Sequence, residues 1–134
     1  MNREDLRAIK FRAWDSEKKY MLDSSFGNWV SFDGVPYEEA SYKGDTSNIE
    51  IEKSKGLIIM QYTGIKDKNG REIYEGDIVK CHDHPTGAES ITNVVIFHAG
   101  CFKVKDSTVP TLEDFGSAWI DAIGNIYQNP ELLK

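Results

Sequence analysis

Asn69-Gly70, flanked by Lys68 and Arg71 and preceded by the apolar run Leu57 to Tyr62, narrows what this chain can become more than any other feature. An Asn-Gly pair between β-forming stretches predicts a tight type I′ hairpin turn, because both residues accept the positive φ that such a turn needs. A second break follows within a few residues at Glu75-Gly76-Asp77, where the Asp77 carboxylate is placed to bond nearby backbone amides. Ile78-Val79 then starts another strand. Two turns this close leave no room for a long helix, so the region from Gln61 to Lys80 reads as bent antiparallel sheet.

The rest of the chain follows the same period. Leu6 to Trp14 alternates Ile9, Phe11 and Ala13 with Lys10, Arg12 and Trp14, the two-residue period of a strand with one core face and one basic face. The polar run Asp15 to Lys19 turns it back into Tyr20-Met21-Leu22. Leu57 to Tyr62 is apolar on both parities apart from Gln61, which predicts a strand covered on both sides. Ile78 to His82, Ile91 to His98, Cys101 to Lys105 and Trp119 to Ile123 are further strands, with Ala99-Gly100 a tight turn and Asp83 to Gly87 a break. Phe102 and Val104 should face inward, with Lys103 and Lys105 outward. Thr111 to Gly116 has the cap and stop of a single helical turn, and Asn129-Pro130-Glu131 the order of a helix start. Asp23 to Gly56 is less regular: glycines interrupt scattered aromatics, and between Asp33 and Glu52 six acids (Asp33, Glu38, Glu39, Asp45, Glu50, Glu52) face one base, Lys43.

These readings give an all-β class, β-rich with at most short helical turns: a small SH3-like or OB-like barrel, or a sandwich. The 134 residues suit a single domain over 1–134, with two β-rich lobes as the other arrangement and the irregular insertion at about 23–56. Six Phe, six Tyr and three Trp argue for a folded core. No run approaches the roughly 18 apolar residues of a membrane span, and no apolar segment follows the charged start, so a cytoplasmic protein without a membrane partner is expected. A net charge of −6 opposes nucleic-acid binding unless basic residues gather on one face.

Basic residues that could gather are Lys10 and Arg12 on the first strand and Lys66, Lys68 and Arg71 around the hairpin. Beside aromatics they would form a ridge that tracks a nucleic-acid backbone; lysines at exposed turns also protect sheet edges. All three histidines and both cysteines lie between Cys81 and Cys101. His82 and His84 would share one side at strand spacing, the nearest approach to a metal pair. However, His98 and Cys101 belong to the far end of the Ile91 to His98 strand, and the paired-thiol pattern of structural zinc is absent. No cofactor is implied. No nucleophile elbow, phosphate loop or activated cysteine is visible, so catalysis is not expected and no catalytic residue is assigned.

The blocks Ile9 to Asp15, Met60 to Gly70, Ile73 to Val79 and Ile123 to Leu133 together resemble the YopX family of phage and prophage proteins. The resemblance implies a small β-rich fold encoded by a bacteriophage or prophage and working in the bacterial cytoplasm. It carries over no activity and no site residues. The functional expectation is a non-enzymatic accessory protein acting through macromolecular contact, with a host or phage protein as partner. Self-association is a further expectation, because open sheets often hide an edge in a symmetric contact. A nucleic-acid-binding barrel using the basic ridge is the alternative.

Overall fold

The computed structural model describes residues 8–22, 29–30, 35–39, 51–82, 85, 87 and 90–134. Two compact units divide the chain, one formed by Met1–Lys10 with Gln61–Lys134 and the other by Phe11–Met60. Among the described residues, both are built mostly of antiparallel strands.

In the inserted unit, β1 (Phe11–Asp15) and β2 (Tyr20–Leu22) pair with Ala13 opposite Leu22 and Asp15 opposite Tyr20. Their connection is shaped by Asp15, whose Oδ1 accepts the amides of Glu17 and Lys18 at 3.0 and 2.9 Å, while Lys19 takes a positive φ of 61°. A small separate sheet joins β3 (Trp29–Val30), β4 (Pro36–Glu39) and β5 (Ile51–Lys53) in that order. β6 (Leu57–Lys66) begins in this unit beside β1 and continues into the other. Strict alternation fails on β1, where Ala13, Trp14 and Asp15 are all buried and the upstream Ile9 is exposed. The expected two-sided cover of β6 fails at Ile58, which is exposed although Met60 and Tyr62 are buried.

The main unit contains the second half of β6, then β7 (Glu72–Tyr74), β8 (Asp77–Cys81), β9 (Ile91–His98), β10 (Cys101–Val104) and β11 (Ile120–Asn125). β8 to β11 form a sheet in the order β10-β9-β8-β11, so β11 is a terminal strand. Its core gathers Ile73, Val79, Cys81, Val95, Val104, Leu112, Phe115, Ile120 and Ala122, with Phe102 and Trp119 packed against it. Each fully buried aliphatic or aromatic side chain there contributes about 1.5–3 kcal/mol. α1 (Leu112–Phe115) supplies two of them from a single turn. Thr111 Oγ1 accepts the Asp114 amide at 3.0 Å and Gly116 N–H closes the turn on Leu112 O, as the sequence predicts.

The turn at Asn69-Gly70 departs from expectation. At the β6–β7 connection Gly70 has φ 81° but Asn69 is not left-handed, so this is not a type I′ turn. Gly70 N–H bonds Asp67 O at 3.0 Å and Asp67 N–H bonds Arg71 O at 2.8 Å, a type I turn followed by a left-handed glycine. The type I′ geometry falls instead at Ala99-Gly100, where φ is 51° and 81° and His98 pairs directly with Cys101. After β11 the chain turns sharply around Asn125, whose Oδ1 accepts the amides of Tyr127 and Gln128. Asn129 Oδ1 bonds the Asn125 amide and not the 3₁₀ turn Pro130–Leu133 that it precedes. A Cβ at Gly124 would lie 2.5 Å from that oxygen, so this approach requires glycine.

Candidate functional site

Four of the five basic candidates belong to the main unit, and three of those four meet partners inside it. Lys10 Nζ lies 2.7 Å from Glu72 Oε2 and 5.5 Å from the centre of the Tyr62 ring. The hydrogen bond to Glu72 raises the Lys10 pKa, against a smaller opposing effect of desolvation. Lys68 Nζ stands 3.6 Å from Asp121 Oδ2, and Arg71 Nη1 donates to Ala122 O at 3.0 Å. Lys66 is exposed and sits opposite Glu72 in the β6–β7 register. Arg12 belongs to the inserted unit, with Nη2 against Met60 Sδ at 3.8 Å.

Sequence reasoning missed the residue that organises this region. Asp67 is only 4% exposed. Its Oδ1 accepts the Asn69 and Arg71 amides, each at 2.9 Å, and its Oδ2 accepts the Ala122 amide at 3.1 Å. Burial alone would raise its pKa, but the three amides and the Arg71 charge outweigh it and hold the carboxyl below the usual range. The local signal was available: an aspartate two residues before an Asn-Gly turn is placed for an Asx turn. Its bond to Ala122 is not a local property.

Beside this region a groove of about 500 Å³ opens to solvent. β6 lines it with Tyr62, Gly64, Ile65 and Lys66, and the α1 turn and its exit line it with Glu113, Gly116 and Ser117. Gly64 (φ 86°) has no atom within 4 Å of where a Cβ would stand, so space is open beside the strand there. Tyr62 is largely buried, 5.5 Å from the Tyr74 ring centre, and its phenol pKa is raised first by desolvation and then by Glu72.

Among the histidines and cysteines, the structure separates what the sequence clusters. Cys81 is fully buried in the core and pairs opposite Ile91, while His98 pairs opposite Cys101 at the other end of β9. Those ends stand about 23 Å apart at strand spacing. Burial pushes the Cys81 thiol up to about 12, far from any thiolate role near neutral pH. Cys101 Sγ donates to His98 O at 3.3 Å. The His82 amide bonds Trp119 O at 3.2 Å. His84 lies outside the described residues, as do Asp33, Asp45 and Glu50 of the acidic stretch. No group of three or more potential metal ligands occurs among the described residues. No helix among them is long and apolar enough to cross a membrane.

Fold and site together define a small antiparallel β-protein whose signature loops are tied down by side-chain bonds to backbone amides. The family model described as YopX protein matches residues 10–134, and the chain belongs to the YopX family. Two crystal structures resemble it closely in length. Protein EF1440 from Enterococcus faecalis is 29% identical, with a TM-score of 0.62 over 96% of this chain and 100% of that one. Protein yopX from Bacillus subtilis is 22% identical, with a TM-score of 0.64 over 93% and 95% respectively, a likeness of fold. No curated protein sequence matches the chain.

Proposed function

We propose that this YopX-family chain is a non-enzymatic phage or prophage accessory protein that works in the bacterial cytoplasm by binding a host or phage protein. The groove between β6 and the α1 exit is the seat of that contact. The observation that carries this reading is the groove's make-up: open space at Gly64, exposed Ser117, and one charge of each sign from Lys66 and Glu113. An open groove of mixed charge suits an extended protein segment, whose side chains can seat in it and pair with Lys66 and Glu113. Polyanion binding is less well served. Lys10, Lys68 and Arg71 are engaged with Glu72, Asp121 and Ala122 O, and Tyr62 is too buried to stack on a base.

The test compares tagged wild-type chain with Ser117→Trp, which fills the groove from an exposed position, on recovery from infected or lysogenic cells. A protein that accompanies the wild type and falls roughly tenfold with the variant, a loss of about 1.4 kcal/mol, is expected. Identical recovery with both chains would remove the groove from the reading. Nuclease-sensitive, salt-dependent retention on nucleic acid would favour the basic-ridge alternative.

A further inference from the structure

β11 ends its sheet, and a terminal strand ordinarily presents unpaired backbone groups that invite another strand. Here those groups are taken, but not by a strand. Ile120 O accepts the Lys68 amide at 2.9 Å. Ala122 N–H donates to Asp67 Oδ2 at 3.1 Å, and Ala122 O accepts Arg71 Nη1 at 3.0 Å. The tip of the β6–β7 hairpin therefore supplies one backbone amide, one carboxylate and one guanidinium where a neighbouring strand would supply amides and carbonyls. Asp121 between them is held by Lys68 Nζ at 3.6 Å and Asn69 Nδ2 at 3.5 Å.

We propose that the hairpin tip masks a strand-pairing surface on β11, and that the partner this surface fits when unmasked is the same edge of a second copy of the chain. The order of groups makes the edge self-complementary. A two-fold axis through Asp121 sets the Ala122 N–H of each copy against the Ile120 C=O of the other, an isologous antiparallel contact. Ile120 N–H takes no part, because it is already bonded to Ser117 O. The same axis places two Asp121 carboxylates directly opposite one another, which opposes pairing and should make it salt-sensitive. The tip thus does two things: it satisfies the edge, and it holds Asp121 through Lys68 and Asn69.

The test replaces Asp67–Arg71 by a two-residue Asn-Gly turn. Asp67→Ala/Arg71→Ala serves as a milder second variant should the shortened chain fail to fold. Mass is followed against concentration by sedimentation, beside hydrogen exchange of the Ala122 amide. The expected result is exchange at Ala122 faster by tenfold or more in dilute solution, with about 1.4 kcal/mol of protection lost. As concentration rises, mass should exceed that of the wild type and Ala122 should regain protection. Adding Asp121→Asn, or raising salt, should strengthen this association. A folded variant whose mass follows the wild type at every concentration would overturn the proposal. So would association that leaves Ala122 unprotected, since the contact would then lie elsewhere.

Discussion

Asp67 offers the sharpest test of how the main unit is held together. Its carboxylate accepts three amides, and the one from Ala122 is a buried bond between residues 55 apart in sequence. A hydrogen bond to a charged group contributes about 1.5–3 kcal/mol, and a buried donor left unsatisfied costs about 1–3 kcal/mol. The Asn69 and Arg71 amides are only partly buried and can turn to water, so the Ala122 bond should dominate. Asp67→Ala is therefore expected to cost about 3 kcal/mol. Asp67→Asn should cost about 2 kcal/mol, since one amide oxygen can still serve the turn while the NH₂ group opposes the Ala122 N–H. In urea the larger loss should lower the midpoint by about 1.5 M for a slope near 2 kcal/mol per molar. The pH dependence has a definite sign. Because folding lowers the Asp67 pKa, its contribution is fully present above the unfolded value of about 3.9 and is lost as pH falls through the folded value. Asp67→Asn should flatten that acid limb of stability against pH. An Asp67→Ala chain within about 0.5 kcal/mol of wild type, with Ala122 exchange unchanged, would refute the reasoning.

Two further outcomes follow from particular atoms. Ala99 holds φ 51° in the β9–β10 turn, a left-handed conformation that disfavours alanine by about 1–2 kcal/mol. Ala99→Asn should thus raise stability by about 1 kcal/mol and Gly100→Ala lower it by about as much, read from denaturant midpoints. Cys81 is fully buried with its thiol pKa pushed to about 12, whereas Cys101 is partly exposed. A thiol reagent at pH 8 should therefore modify one cysteine per native chain, with the second reacting only on unfolding; Cys101→Ser should abolish the fast phase.

Much of the fold could be read from residues a few positions apart. Ile91 to His98 is a strand with the bounds expected, and the Thr111 cap and the Gly116 stop fall where their local chemistry puts them, while the turn at Pro130 forms in its expected place without a side-chain cap from Asn129. Asp77 bonds the Tyr74 amide at 2.8 Å, as an aspartate beside a tight turn should. The candidate site was far less legible. The basic residues read as a ridge because their positive charges are visible in sequence, while the groups that engage them are brought in by strand pairing across long stretches of chain. Arg71 meets Ala122, and Lys10 meets Glu72. The groove likewise joins β6 to residues some fifty positions downstream.

By itself, then, the amino-acid order determined that this chain would be sheet, where it would turn, and which short segments would coil, because those outcomes depend on side-chain period, proline and glycine geometry and caps reached within a few residues. Tertiary structure alone decided which kind of turn forms at Asn69-Gly70, that Asp67 reaches Ala122, and that the end of the sheet is covered. Those outcomes depend on donors and acceptors that only the folded arrangement of strands brings within three ångströms or so of one another.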